Sequence, residues 1–428
     1  MMNMTAEDVH EYINGICFKT GPPGKVGVET EWLVTDPARP TAPVTIERLA
    51  ELLEPYGPPP AGSRFTFEPG GQVELSSPAL PGPGRVHQAL GADLDHLGKA
   101  LANAGLHLVE TALDPLRPPT LQLRVPRYGA MERFFTRRRH VSGRTMMCST
   151  ASLQVCLDIG DDVTDTRERW EFLHRLGPVL VAAFANSGLW RGRPTGWKST
   201  RWAIWAATDS SRTRPVPEPG SRVDPATAWT EYALAAQVMA IPETPGGGGT
   251  WTADPGITLN DWVHGRGPRP LALADLEFHL STLFPPIRPR GWWELRMIDT
   301  VPLRWWPVPM AFAAALTEDP RARATAEEAT ARLSGGGAPA PTLWLRSARS
   351  GPSDPEIVAC ARTCFDAAIE ALPRMGSSEL ATLVDEYAER YVRRGLCPAD
   401  ATLQVPAARP AGSPTGADAH LARPGGSS

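Results

Sequence analysis

Two glutamates spaced two positions apart are the first residues in the chain that could support metal chemistry. Glu29 and Glu31 lie in residues 25–34 (KVGVETEWLV), where the alternation of residue types predicts a strand. Side chains at positions i and i+2 of a strand share a face, so both carboxylates are expected to point the same way. Adjacent carboxylates repel, and a magnesium ion carrying phosphates relieves that repulsion. A solvent-facing strand surface is the other interpretation, and this segment alone does not decide between the two.

Two further segments add carboxylates in the same alternating pattern. In residues 67–77 (FEPGGQVELSS), Glu74 lies on a polar strand face, and the glycine pair permits close approach of the backbone to a ligand. In residues 293–299 (WELRMID), Glu294 and Arg296 share a face, which joins a candidate metal ligand to a candidate phosphate-binding cation. An ordinary half-exposed strand and a plain cross-strand salt bridge are the respective alternatives.

A fourth segment is rich in arginines and tryptophans. Residues 190–213 (WRGRPTGWKSTRWAIWAATDSSRT) interleave basic and aromatic side chains, a pattern also found in nucleic-acid-binding surfaces. The formal net charge of −4 gives no global positive field and disfavours that function. Arginine binds planar carboxylates and phosphates with paired hydrogen bonds, so a substrate pocket is favoured. The remaining interpretation places the tryptophans in the core and the arginines on the surface.

The elements that would position these residues follow from hydrophobic periodicity and turn signals. Predicted strands cover residues 25–34, 64–67, 72–76, 106–110, 145–158 and 293–298. Predicted helices cover residues 5–16, 45–53, 83–104, 165–189, 225–239, 271–283, 303–316, 354–371 and 377–395. Strands come early and in pairs, helices accumulate late, and βαβ repeats are few. This order predicts an α+β fold around an antiparallel sheet.

Length and composition exclude several classes of protein. With 428 residues, 42% hydrophobic and 21% charged, the chain can bury a sizeable core. Its N-terminus does not resemble a signal peptide, and its longest apolar stretch is too short to cross a bilayer. Six cysteines without CxxC spacing predict reduced thiols in the cytoplasm. The sequence contains no GxxxxGK[ST], GxGxxG, HExxH or GxSxG motif, so a nucleotide would bind without a loop of the Walker type.

The order of six sequence blocks carries a family resemblance. The blocks are GVETEWL, FEPGGQVELSS, LQVCLD, GRPTGWKSTRWAIWAATDSSRT, ITLNDW and LEFHLSTLFPPIRPRGWWELRMID. They resemble the glutamate–cysteine ligase family of the plant and proteobacterial type, above all the actinobacterial branch that feeds ergothioneine synthesis. The resemblance covers residues 20–310 and implies a glutamine-synthetase-like catalytic domain, with a curved antiparallel sheet and helices on its outer side. One catalytic domain is expected over residues 1–398, with C-terminal helices from 303 and a disordered tail at 399–428.

The resemblance also implies a reaction. ATP phosphorylates the γ-carboxylate of glutamate, and the amine of cysteine attacks the acyl phosphate to give γ-glutamylcysteine, ADP and phosphate, with ATP and Mg²⁺ bound. By position, the residues implied to hold magnesium are Glu29, Glu31, Glu68, Glu74, Gln154 and Glu294. Those implied to bind glutamate are Arg201, Trp205, Thr145, Met146 and Ser149. Those implied to contact the phosphoryl group in catalysis are Arg296, Arg212 and Lys198.

Alternatives to this reaction remain open in the sequence. A carboxylate–amine ligase of the same fold could use another amine, and a more distant alternative is a binding protein that has lost catalysis. Partners are expected to be small-molecule substrates, with no nucleic acid and no membrane, in a monomer or a small homo-oligomer. The four-glycine loop at 246–249 is expected to act as a lid over the pocket.

Overall fold

The computed structural model describes residues 4–137, 141–220, 223–242 and 251–404. Within these ranges the strands are β1 (Lys25–Thr35), β2 (Arg64–Phe67), β3 (Val73–Ser76), β4 (Leu80–Pro81), β5 (His107–Val109), β6 (Ser152–Asp158), β7 (Leu189–Trp190), β8 (Arg193–Pro194), β9 (Ile287–Pro289) and β10 (Trp292–Asp299). The α-helices there are α1 (Ala6–Cys17), α2 (Ile46–Leu53), α3 (Gly82–Asn103), α4 (Pro126–Arg137), α5 (Val141–Ser149), α6 (Val163–Ala183), α7 (Thr200–Ala206), α8 (Ser210–Thr213), α9 (Pro225–Ala235), α10 (Leu259–Asp261), α11 (Leu273–Ser281), α12 (Pro307–Glu318), α13 (Pro320–Ser334), α14 (Pro341–Ser350), α15 (Pro355–Arg374), α16 (Ser378–Arg390) and α17 (Pro398–Gln404). Short 3₁₀ turns lie at Glu54–Tyr56, Leu303–Trp305, Gly351–Ser353 and Val392–Arg394, and a π turn lies at Trp262–Arg266.

An antiparallel sheet in the order β2-β3-β1-β6-β10-β9 forms the centre of the molecule, and β4 and β5 pair with other parts of β1. The register sets Glu31 opposite Glu74 and Glu29 opposite Gln154. On the next strand, Glu294 lies opposite Cys156. Because successive side chains of a strand alternate between faces, this register brings the acidic residues to one side of the sheet.

The opposite face of the sheet is apolar. Val28, Val155 and Leu295 are buried there at about 0–1% exposure, in the cluster that also contains the apolar sides of α3, α6 and α12. These three helices contact β1, β10 and β6 respectively. Burying each such side chain stabilises the fold by about 1.5–3 kcal/mol. The sheet therefore has one face fixed by the core and one face free for polar chemistry.

The C-terminal helices α12, α13, α15 and α16 pack against one another and extend this core. Phe184, Phe312, Phe365 and Tyr387 form a cluster of rings whose closest centroids are 4.4 Å apart. The buried hydroxyl of Tyr387 donates a hydrogen bond of 2.8 Å to the carbonyl of Ala183. The bundle is thus joined to the end of α6, directly behind the sheet.

The predicted α+β class with an antiparallel sheet is confirmed, but several predicted elements need correction. Residues 145–158 do not form one strand, because α5 occupies the first part and β6 begins only at Ser152. Helix α6 ends at Ala183 rather than at position 189. The helices that were not predicted are α4, α7, α8, α10, α13, α14 and α17.

The predicted boundary at residue 398 also needs correction. Helix α17 continues the described structure to Gln404, and Ala399 is fully buried. The rest of the predicted tail, residues 405–428, and the four-glycine loop at 246–249 lie outside the described residues. Among the helices that are described, none is both long enough and apolar enough to cross a membrane.

Candidate active site

A cavity of about 200 Å³ opens over the polar face of the sheet. It is bounded by β1, β3, β6 and β10 below, and by α4, α5, α7 and the end of α11 at its sides. Its lining residues are Glu29, Glu31, Glu68, Pro69, Gln72, Glu74, Arg127, Tyr128, Met131, Met146, Met147, Thr150, Ser152, Gln154, Arg201, Trp205, Ser281, Phe284, Arg288 and Arg296. Most of the residues that the sequence singled out therefore face one space.

The carboxylates of β1 and β3 are held by neutral hydrogen-bond donors. The backbone N–H and the hydroxyl of Ser152 each donate to Glu31 at 2.8 Å, and the amide of Gln154 donates to it at 3.1 Å. The hydroxyls of Thr66 and Ser76 donate to Glu74 at 2.7 and 3.1 Å. Neutral donors orient a carboxylate but leave its negative charge uncompensated.

The turn between β2 and β3 carries Glu68 to the pocket. Its two glycines are required by geometry: Gly71 has φ +86°, and a Cβ on Gly70 would lie 2.1 Å from the carbonyl oxygen of Cys148. The amide of Gln72 fixes the same turn by donating to the carbonyl of Thr150 at 2.7 Å. The close approach predicted for this glycine pair is therefore an approach to the backbone of α5.

Burial and mutual repulsion raise the pKa values of three carboxylates in the pocket. Burial, followed by the charges of Glu294 and Glu74, raises the pKa of Glu29 to about 7. Burial and Glu74 raise the pKa of Glu31, and burial and the neighbouring Glu31 raise the pKa of Glu68 well above its ordinary value. Groups that destabilise one another's charged forms in this way favour a bound cation, and an all-oxygen donor set suits Mg²⁺.

The carboxylates face the pocket without meeting at a single point. Among the described residues, no three His, Cys, Asp or Glu side chains converge closely enough to form a ready-made metal cluster. Side-chain rotation would have to bring the oxygens of Glu31, Glu68 and Glu74 together around a cation. The donor set thus fits magnesium by the type of its oxygen ligands, and their convergence requires the side chains to rotate.

Glu294 lies on the same face of the sheet but in a different environment. Arg288 donates to both of its oxygens at 2.7 and 3.1 Å, Arg296 donates at 2.8 Å, and Arg290 lies at 3.3 Å. Burial alone would raise the pKa of Glu294, but the surrounding guanidinium groups hold it well below its usual range. The carboxylate is fully buried and is not among the residues lining the cavity. The structure thus presents Glu294 as a counterion for three arginines, whereas the sequence suggested a metal ligand.

Arginines and a tryptophan form the side of the pocket opposite β3. The guanidinium carbons of Arg201 and Arg296 lie 5.2 and 5.5 Å from the ring centre of Trp205. The indole N–H of Trp205 donates to the carbonyl of Phe284 at 2.9 Å, which fixes the ring. Arg296 also donates to Gln154 at 2.6 Å. Gln154 therefore links the carboxylate side of the pocket, through Glu31, to its guanidinium side.

Helix α5 brings Met146 to the pocket but not Thr145 or Ser149. Both of these residues are buried, and neither lines the cavity. The correction follows from the helical period: positions i, i+3 and i+4 share one side of a helix, and here Met146, Met147 and Thr150 line the cavity. A strand, as predicted from the sequence, would instead have grouped positions 145, 147 and 149.

Two of the predicted phosphate contacts are also placed elsewhere. The amine of Lys198 forms an ion pair with Asp400 on α17 and does not line the cavity. Arg212 is fully buried and bonded to Asp209, to Thr282 and to the carbonyl of Gln237. Since their charges are occupied by protein partners outside the pocket, we place neither residue at the site.

Comparison with known proteins identifies the family. The profile described as "Glutamate-cysteine ligase family 2 (GCS2)" matches residues 25–418. The chain belongs to this family. It is 40% identical over 395 residues to the glutamate–cysteine ligase EgtA of Mycobacterium tuberculosis, covering 91% of this chain and 88% of that protein. It is 38% identical over 416 residues to EgtA of Mycolicibacterium smegmatis, covering 92% and 94%.

More distant members of the glutamate–cysteine ligase family extend the comparison. The chloroplastic glutamate–cysteine ligase of Medicago truncatula is 26% identical over 327 residues, covering 70% of this chain and 62% of that protein. A solved glutamate–cysteine ligase of Francisella tularensis in complex with AMP aligns with a TM-score of 0.45 at 12% identity, covering 91% and 86%. The profile and the two mycobacterial relatives confirm the predicted family resemblance.

Several residues of this family member's pocket were missed in the sequence. Arg288 pairs with Glu294 across the β9–β10 hairpin, and the turn signal Pro289-Arg290-Gly291 could have revealed that register. Arg127 and Tyr128 enter from α4, for which the sequence supplied no prediction. Arg127 donates to the hydroxyl and the carbonyl of Ser281 at 2.8 Å, so α4 is fastened to the end of α11 at the edge of the pocket.

Proposed function

We propose that this chain catalyses the ATP-dependent ligation of L-glutamate to L-cysteine, giving γ-glutamylcysteine, ADP and phosphate. The observation that carries the proposal is a single pocket in which uncompensated carboxylates face guanidinium groups across about 200 Å³. The reaction brings an anionic nucleotide to an anionic carboxylate, so it needs charge stabilisation of both signs. Membership of the glutamate–cysteine ligase family supports the same reaction.

The carboxylate side of the pocket is proposed to hold magnesium through Glu29, Glu31, Glu68 and Glu74. When bound, the metal supplies positive charge that offsets the phosphate oxygens and orients the transferring group. The protein's own part is to hold these carboxylates in place: Ser152 fixes Glu31, and Thr66 fixes Glu74. Gln154 is proposed to couple this side to Arg296 and thus to the nucleotide phosphates.

Arg201 and Trp205 are proposed to bind the substrate glutamate. The guanidinium of Arg201 is buried, lines the cavity and keeps its Nε without a hydrogen-bond partner in the described part of the chain. A carboxylate is the partner that suits such a group. Met146 would contact the substrate from the opposite wall.

Arg288 and Arg296 are proposed to stabilise the phosphoryl group as it moves. Both guanidiniums line the cavity, and both are anchored by Glu294. The γ-carboxylate oxygen forms a bond to phosphorus while the bond to ADP breaks. The cysteine nitrogen then bonds to the carbonyl carbon of this acyl phosphate, its bond to the phosphate oxygen breaks, and phosphate and a proton are released. Arginines fixed before the reaction can stabilise the developing charge without reorganising.

We place the reaction in the cytoplasm, where the six unpaired cysteines of the chain would remain reduced. The resemblance to the branch that feeds ergothioneine synthesis makes that pathway the proposed use of the product. Oligomeric state is proposed as a monomer or a small homo-oligomer, with small molecules as the partners.

The test is ADP release by the purified protein with ATP and magnesium. Glutamate alone, glutamate with cysteine, and glutamate with other amines are compared, and products are identified by mass. Release that requires both glutamate and cysteine, with γ-glutamylcysteine formed, supports the proposal. Release with another amine but not with cysteine would keep the mechanism and replace the acceptor. Absence of release in every mixture would refute the proposed activity.

A further inference from the structure

Asp299, the last residue of β10, connects the segment that follows α6 to the start of α7. Its carboxylate is 2% exposed and accepts hydrogen bonds from the backbone N–H of Asn186 at 2.9 Å and from the hydroxyls of Ser187 and Ser199 at 2.7 and 3.0 Å. Asn186 and Ser187 follow α6, whereas Ser199 caps α7. Asp299 itself does not line the cavity.

Both ends of Arg201 depend on this carboxylate. The backbone N–H of Arg201 donates to the hydroxyl of Ser187 at 3.0 Å, and the same hydroxyl donates to Asp299. At the other end, Nη1 of Arg201 lies 3.6 Å from Oδ1 of Asp299. Asp299 therefore fixes the backbone of Arg201 through Ser187, and it fixes the guanidinium through the direct ion pair.

The other contacts of Arg201 supply no full negative charge. Nη1 donates to the carbonyl of Ile298 at 3.3 Å, and Nη2 donates to the carbonyl of Arg296 at 2.9 Å. Burial lowers the pKa of Arg201, and the charge of Asp299 opposes this effect more strongly than that of Glu31. A buried guanidinium needs both a counterion and a fixed orientation to bind a second carboxylate with two hydrogen bonds.

We propose that Asp299 is a positioning residue that sets Arg201 for the carboxylate of the amino-acid substrate, acting through Ser187 and through the direct ion pair. The inference rests on the proposed function, because it takes glutamate as the ligand of Arg201. Asp299 thereby controls the binding of glutamate, whereas the phosphoryl group is left to Arg288 and Arg296.

The test compares Asp299→Asn with the wild type in steady-state kinetics. The substitution keeps the shape of the side chain. The amide oxygen can accept from Asn186 and Ser187, and the hydroxyl of Ser199 can rotate to accept from the new NH2 group, so the fold is expected to persist. Arg201 loses its ion pair, and KM for glutamate is expected to rise about tenfold, as a loss of about 1.4 kcal/mol implies. KM for ATP and kcat are expected to stay within about threefold, since no ATP-binding group is altered.

Ser187→Ala provides a second variant in which the charge of Asp299 is intact. It removes the relay to the backbone of Arg201, and KM for glutamate is expected to rise about threefold, less than in Asp299→Asn. Asp319→Asn is the matched control. Asp319 is also a mostly buried aspartate that accepts from a backbone N–H (Ala322, 2.9 Å) and pairs with Arg374, but its contacts lie in the C-terminal helices. It should lower thermal stability and leave KM for glutamate unchanged.

Calorimetric titration of each protein with glutamate gives a readout that does not require turnover. Weaker glutamate binding in Asp299→Asn, with unchanged binding in Asp319→Asn, supports the positioning role even if another amine proves to be the acceptor. Glutamate binding and KM equal to those of the wild type, or a loss confined to kcat or to thermal stability, would overturn it. A wild-type protein that binds glutamate but releases no ADP would instead refute the proposed function alone.

Discussion

Glu31 on β1 and Glu294 on β10 project from the same face of one sheet, yet they have opposite electrostatic surroundings. Glu31 accepts from a hydroxyl, a backbone N–H and an amide, and burial together with Glu74 raises its pKa. Glu294 is bonded to three guanidinium groups, which hold its pKa low against the effect of burial. The residue type is the same, and the charge of the neighbours decides what each can do.

The charge of the partners distinguishes a carboxylate that can bind a cation from one that serves as a structural counterion. A carboxylate whose partners are neutral retains a charge that a metal can use. The charge of Glu294 is already balanced by Arg288, Arg290 and Arg296, so it is not available to a metal. These ion pairs instead fix the orientation of the arginines. We therefore expect loss of Glu31 and loss of Glu294 to fail in different ways.

The largest expected effect is on turnover in Glu31→Gln. Glutamine keeps the size of the side chain and removes one negative charge from the proposed magnesium site, so kcat should fall about 100-fold or more and the magnesium requirement should rise. Thermal stability should stay equal or increase, because repulsion with Glu74 is removed. Steady-state rates across a magnesium titration measure the first effect. Glu47→Gln, an exposed position on α2, is the control and should keep wild-type rates; a wild-type magnesium response in Glu31→Gln would contradict the assignment.

Glu294→Gln should mainly lower the free energy of unfolding. Removing the charge leaves three guanidinium groups without their carboxylate, and breaking such a buried pair costs about 3–5 kcal/mol of unfolding free energy. Urea unfolding measures this loss, and activity should fall with it because Arg288 and Arg296 lose their anchor. Glu318→Gln, which weakens the buried pair with Arg169, is a matched control that should lose stability but keep the KM values. If Glu294→Gln were as stable as the wild type and only needed more magnesium, Glu294 would be a metal ligand after all.

The raised pKa of Glu29 can be tested by measuring stability as a function of pH. The folded protein raises the pKa of this carboxyl to about 7 from an ordinary value of 4.5, mainly by burial. Between these two values the folded chain binds more protons at this position than the unfolded chain, so the contribution of Glu29 to stability decreases as pH rises from 4.5 to 7. In chelator-treated protein, Glu29→Gln should therefore gain stability relative to the wild type as pH increases through this window. Urea midpoints measured between these pH values that remain parallel for the two proteins would argue against a raised pKa.

The sequence predicted the carboxylate side of the pocket because local rules determine it. The period of a strand assigns Glu29 and Glu31 to one face, and the glycine turn brings Glu68 and Glu74 back against it. The antiparallel pairing of β1 with β6 sets Gln154 opposite Glu29, a register that the sequence did not predict. The strand period and the glycine turn are local signals, whereas the pairing of β1 with β6 joins distant parts of the chain.

Residues whose surroundings are set by long-range contacts were placed less well. The partner of Lys198 is 202 residues away, and Arg212 bonds to Thr282, 70 residues away, so the basic segment could not reveal which cations are already paired. Helix α13 was missed among small residues, although Asp319 before Pro320 is a recognisable start signal. The role of Glu294 likewise depends on Arg288 and Arg290, whose register across a hairpin was not predicted.

The smallest expected effect belongs to Lys198→Met, and it tests the boundary of the guanidinium side. Lys198 pairs with Asp400 near the start of α17, and a partly exposed pair of this kind contributes about 0–1 kcal/mol. We expect a small decrease in the free energy of unfolding and a kcat within about twofold of the wild type, because the amine does not reach the pocket. Arg304→Met, which breaks the exposed pair with Glu386, is the control for losing a surface ion pair. A loss of ADP release in Lys198→Met at unchanged stability would return this lysine to the site. The amine would then have to leave Asp400 and reach the pocket during the reaction.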